Sequence, residues 1–235
     1  MKALALLLMT GKFSKFLLTG GTMLISLVTY TWVYGWWYAV GFVGLLFTHE
    51  MGHYIAAKQR NLDVGAPCFI PFVGAWINLK EQPINAETEA YVGIAGPMAG
   101  TAAAFVCFLY GREVGSSLVL AIAYSGFMLN LFNLIPLSPL DGGRIMAAVS
   151  PKLWFVGLPM LGALYIWHPS PMLIAIGIMA APQLIAFFRN GDQLDSPYYQ
   201  VPQNIRTGYA VQYLILAGFL AIASFELHTQ LSGGH

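Results

Sequence analysis

Charge is scarce in this sequence: Asp, Glu, Lys and Arg make up 9% of 235 residues, where a soluble domain carries about 25%. That shortage excludes an ordinary water-facing surface over most of the chain. Charge of one sign is missing as well. The net value is +1, so neither a basic nucleic-acid footprint nor an acidic surface is available, and no nucleic-acid partner is expected. Cysteine is nearly absent. Cys68 and Cys107 match neither a disulfide framework nor a CxxC motif and read as small apolar residues. No repeat of 20 to 50 residues is visible, and no polar stretch is long enough for a second globular unit. Residues 1–235 are therefore expected to form a single membrane-embedded domain, with a core at about 36–150 and C-terminal helices at about 152–228.

What the chain has instead is length of apolar sequence, with 57% hydrophobic residues. Runs approaching the roughly 20 residues needed to cross hydrocarbon lie at about 16–34, 36–58, 93–110, 117–137, 152–168, 171–188 and 209–227. The fifth and sixth are a little short and are separated only by His168, Pro169, Ser170 and Pro171. The expected fold class is an all-α polytopic membrane protein with six or seven transmembrane helices. Residues 1–9 begin like a signal peptide, but no small-residue cleavage site follows before Lys12 and Lys15, so they are read as retained. An N-terminus in the cytoplasm puts Lys2, Lys12, Lys15, Lys58, Arg60, Lys80, Arg144, Lys152, Arg189 and Arg206 on the inner side and only Arg112 outside, a strong orientation signal.

The same topology leaves residues 61–91 inside. Within them Pro67 to Leu79 (PCFIPFVGAWINL) is aromatic, β-branched and broken by Pro and Gly, which suits short strands. A small membrane-associated β region is expected between the second and third helices. Asn85 then has the position of an N-cap, with Glu87 and Glu89 in the first turns, where carboxylates favour the positive helix end over any role in metal binding.

The segment THEMGH places His49 and His53 four positions apart, an offset of about 40° on a helix, so that both imidazoles leave one face and can hold one metal. Glu50 lies between them, within reach of a metal-bound water. His49 precedes Lys58 by nine residues, about 14 Å along a helix, which puts three ionisable side chains inside the hydrocarbon. Such groups are costly there and serve function more often than plain interhelical hydrogen bonding.

A catalytic zinc takes three protein ligands and keeps a fourth position for water. Asp141 is the best third candidate, in NLFNLIPLSPLDGGR, where Pro136 and Pro139 end a helix and Gly142 and Gly143 permit a tight turn. From spacing alone, a turn or N-cap aspartate opening the segment Gly142 to Val149 is an equal reading. Asn130 and Asn133 share one helix face, where an amide can donate to an oxyanion or simply bond a neighbouring helix. Gly93, Gly96 and Gly100 in GIAGPMAG form a small-residue face for close helix packing, with no chemistry of their own. His168, His228 and His235 lie away from this group and are not read as ligands.

THEMGH, GIAGPMAG and NLFNLIPLSPLDGGR together resemble the three signature regions of the site-2 protease family of intramembrane zinc metalloproteases, over about residues 41 to 150. The resemblance implies one zinc ion held by His49, His53 and Asp141, with Glu50 as general base. It also implies that an asparagine before the DG motif holds the substrate carbonyl; Asn133 is the match by position and Asn130, one turn earlier, the competitor. Its implied substrates are transmembrane proteins in a lipid bilayer, cut near the cytoplasmic side. Together with the compact length it implies a prokaryotic plasma membrane. Larger relatives carry PDZ or CBS domains, and nothing in these residues resembles either.

Two rival readings use the same residues. A membrane metal-ion transporter or sensor would use the histidines and Asp141 as a transit site but has no need of Glu50. A catalytically silent binder of membrane helices would not need the complete set of ligands and base.

Overall fold

The structure is a computed structural model, and it describes residues 11–71, 74–79, 83–189 and 196–233. Along the chain run α1 (Gly11–Tyr34), α2 (Trp36–Gln59), β1 (Val64–Ile70), β2 (Gly74–Leu79), α3 (Ala86–Glu113), α4 (Ser117–Asn133), α5 (Asp141–Val149), α6 (Trp154–Trp167), α7 (Pro171–Arg189) and α8 (Gln203–Ser232). Single 3₁₀ turns, Pro151–Leu153 and Pro197–Tyr199, precede α6 and α8. The reading of residues 1–9 and the placing of Lys80 and His235 lie outside the described residues.

The class is all-α with two short strands, as expected. Several boundaries move for local reasons. α4 stops at Asn133 rather than 137, because Pro136 and Pro139 lack the N–H that a further turn needs. α3 begins at Ala86, capped by Asn85, whose side chain accepts from the Thr88 N–H at 2.8 Å. Its first turn carries Glu87 and Glu89, and these have partners of their own: Arg60 lies 3.7 Å from Glu87, and the Tyr198 hydroxyl donates to Glu89 at 2.5 Å. Asp141 is the first residue of α5 and Leu140 its N-cap, so the reading of Asp141 as an N-cap is corrected. α6 and α7 are two separate helices joined by His168, Pro169 and Ser170.

β1 and β2 form an antiparallel hairpin with Cys68 opposite Trp76 and Phe69 opposite Ala75. Its outer β1 edge is covered by α1: the Thr19 hydroxyl donates to the Pro67 carbonyl at 2.7 Å, and the Phe69 N–H donates to Thr22 Oγ1 at 3.1 Å.

The apolar surface is turned outward to an unusual degree. Leu24, Ile25, Trp32, Trp37, Ile166, Trp167, Ile178, Leu214, Ile222 and Phe225 are all exposed on helices, whereas His49, Glu50, His53, Asn130 and Asp141 are buried. A water-soluble fold distributes these classes the other way. By length and composition α3 and α8 are each able to cross a membrane, and α4 and α7 are shorter apolar helices. At 14 residues α6 is about 21 Å long, below the hydrocarbon thickness of about 30 Å.

α2, α3, α4 and α5 pack together at the centre, and small residues decide how closely. A β-carbon on Gly52 of α2 would strike the Ala95 carbonyl of α3, and one on Gly126 of α4 would meet Leu45 and Ala104. That approach brings the polar face of α2 against the starts of α3 and α5.

Candidate metal centre

His49 and His53 point inward from α2, as their four-residue spacing requires. Each ring is fixed by its far nitrogen. His53 Nδ1 donates to the Val92 carbonyl of α3 at 2.7 Å; a carbonyl only accepts, so the proton is on Nδ1. His49 Nδ1 lies 2.8 Å from Asn130 Oδ1, and the Asn130 amide donates in turn to the Gly126 carbonyl at 2.7 Å. That second bond sets the amide orientation, so its oxygen faces His49 and again accepts.

Both Nε2 atoms are then acceptors, and they lie 3.1 Å apart. Asp141 Oδ2 sits 3.2 Å from each, brought there from 88 positions beyond His53 by the turn between α4 and α5. Three buried acceptor atoms with no donor among them repel unless a cation lies between them. Ligands around a tetrahedral zinc at about 2.0–2.1 Å stand roughly 3.3 Å apart, so the observed triangle fits the ion closely. Among the described residues, these three side chains form the group able to hold a metal.

Glu50 is buried at 5% exposure beside the triad. Asn133 is half-buried on the next turn after Asn130, and its amide donates to the Leu129 carbonyl at 3.1 Å. Of the two asparagines, Asn130 is the one that touches a histidine. Arg144 Nη1 stands 3.9 Å from Asp141 Oδ1, a long contact in which charge acts more than hydrogen bonding does.

The glycines have a sharper use than helix packing in general. A β-carbon at Gly96 would run into the His53 imidazole, and one at Gly100 into the Asn130 carboxamide. Their absence lets α3 lie against the His53 ring and the Asn130 amide. Sequence reasoning did not find the Val92 carbonyl. Every residue carries a carbonyl, so no residue type marks that role.

His168 stacks on Trp167 and His228 lies tilted against Tyr124, and neither belongs to the triad. Cys68 and Cys107 are free thiols.

Residues 37–115 match the model of peptidase family M50. A zinc metalloprotease of Methanocaldococcus jannaschii is 33% identical over 109 residues, covering 44% of this chain and 31% of that protein. A second, putative zinc metalloprotease of the same organism is 34% identical over 92 residues, 37% of this chain and 48% of its own length. A probable chloroplastic zinc metalloprotease of Arabidopsis thaliana is 33% identical over 78 residues, 31% of this chain and 14% of its own. The chain thus spans less than half the length of each of these relatives.

Proposed function

We propose, from the match of residues 37–115 to peptidase family M50, the site-2 protease family, that this chain is an intramembrane zinc endopeptidase cutting transmembrane proteins near their cytoplasmic ends. The cofactor is a single zinc ion, supported by the zinc metalloproteases among its relatives and by the His49, His53 and Asp141 group. The observation that carries the reading is the convergence of three buried acceptors beside a buried glutamate.

Bound there, zinc supplies a Lewis acid that polarises a carbonyl oxygen and makes a water more acidic. Glu50 acts as general base, taking a proton from the attacking water and later giving it to the leaving amine. Asn133 spends one amide hydrogen on Leu129 and has a second for the substrate oxygen as charge develops on it. Asn130 and the Val92 carbonyl hold the two imidazoles with Nε2 turned to the ion.

All seven longer helices cross or enter the bilayer in this reading, with the N-terminus in the cytoplasm of a prokaryotic cell. Supporting it are the exposed apolar side chains and the group Trp32, Trp36, Trp37 and Trp167 near helix ends that this topology puts at the outer interface. A helical substrate shields its own peptide bonds, so it must unwind before attack. The unwound segment adds as a strand along β2, since the outer edge of β1 is occupied by Thr19 and Thr22.

The test is reconstitution into vesicles holding a tagged single-span substrate and an internal zinc-sensitive dye. Zinc-dependent cleavage without zinc entry supports the protease; zinc entry without cleavage would replace it with the transporter.

A further inference from the structure

The segment carrying Asp141 is tied down by α8, the last helix of the chain. Tyr213 donates its hydroxyl to the Leu134 carbonyl at 2.5 Å. That carbonyl belongs to the cap of α4, directly after Asn133, and packs where a β-carbon on Gly142 would stand. A single hydrogen bond from α8 therefore fixes the backbone between Asn133 and the residue following Asp141.

Arg206, two turns earlier on α8, holds the opposite end. Its Nη1 donates to the Val149 carbonyl at 2.9 Å, at the C-terminus of α5. Its Nη2 and Nε donate to the carbonyls of Tyr199 at 2.7 Å and Val201 at 2.9 Å, which anchor the guanidinium in the turn leading into α8. A cation at a helix C-terminus also suits the negative end of the α5 dipole. Between these points, the Trp154 indole donates to the Gly143 carbonyl at 2.8 Å.

α5 is only nine residues long, too short to hold its own place without neighbours. His49 and His53 are on a 24-residue helix with its own packing. Asp141 depends on what grips α5. We propose that Tyr213 and Arg206 are positioning residues that hold the two ends of segment 134–149 and so set Asp141 against His49 and His53. The proposal rests on the reading of those three side chains as the zinc ligands.

The experiment uses the full chain purified in detergent with zinc bound, comparing wild type, Tyr213→Phe, Arg206→Gln and the control Thr207→Ala. Thr207 is exposed, and among the described residues its side chain bonds within its own helix, to the Gln203 carbonyl. Two readouts are taken: zinc retention against a chelator, together with the visible spectrum of the cobalt-substituted protein, and amide hydrogen exchange of metal-free protein. Tyr213→Phe and Arg206→Gln are expected to weaken zinc retention about 10-fold, the lower end for outer-shell partners, and to change the cobalt spectrum. Both should speed exchange selectively in 134–149, with Thr207→Ala matching wild type. Unchanged retention and unchanged exchange in Tyr213→Phe would overturn the proposal, even if Arg206→Gln fails to fold. A wild type that takes up no zinc would sink the ligand reading, and the exchange of 134–149 would still decide whether α8 holds that segment.

Discussion

His49 Nδ1 donates to the side-chain oxygen of Asn130 at 2.8 Å, across 81 positions of sequence. This bond commits the other ring nitrogen to the cluster and, in the proposed mechanism, leaves Asn133, one turn further along α4, to meet the substrate oxygen. Replacing Asn130 by Ala frees the ring to rotate and to change tautomer. Zinc affinity is expected to fall roughly 10–100-fold, measured by competition with a chromogenic chelator. Asn133→Ala is expected to keep its zinc and lose about 10²–10³ in turnover, as for an oxyanion donor. The reverse pattern would exchange the two roles.

The close approach of α3 makes a second prediction. In Gly96→Ala the new methyl meets the His53 imidazole, so the protein should remain folded in detergent while its zinc content drops. In Gly52→Ala the methyl meets the Ala95 carbonyl, and backbone cannot swing aside as a side chain does. That variant should lose about 1–3 kcal/mol of stability, read as a lower unfolding midpoint. Equal zinc loss in both would mean that helix separation, rather than contact with the ring, governs the site.

The hairpin gives a third. The Pro67 carbonyl and the Phe69 N–H bond to α1, so the backbone groups of these residues face away from β2. In an antiparallel ladder the backbone groups of their partners, Ile77 and Ala75, then face away from β1, toward the outer edge of β2. Ile77→Pro removes an outward N–H and no bond of the hairpin, a change that edge strands tolerate. Cleavage of a tagged substrate should fall severalfold with zinc content unchanged. Full cleavage would remove strand addition from the account.

These residues also mark how far sequence reasoning reached. The pairing of His49 with His53 was legible because it depends only on helical period. The strands showed in the aromatic and β-branched run before Leu79, and the end of α4 in Pro136 and Pro139, although the exact stop at Asn133 was not. Asp141 was visible as an acid at a turn, but its place 3.2 Å from both histidines depends on how α4 and α5 fold back, which no local pattern encodes. The contacts of Val92, Gly96, Arg206 and Tyr213 were not legible. Each joins a common residue or a backbone carbonyl to a partner remote in sequence.

In the proposed mechanism Glu50 performs proton transfer beside a zinc that His49, His53 and Asp141 would hold. The most direct measurement is cleavage of tagged single-span membrane proteins co-expressed with wild type or Glu50→Gln, with zinc content determined on both purified proteins. The account predicts cleavage by wild type alone and equal zinc in the two. Cleavage by Glu50→Gln at the wild-type rate, or well-folded wild type without zinc, would contradict it.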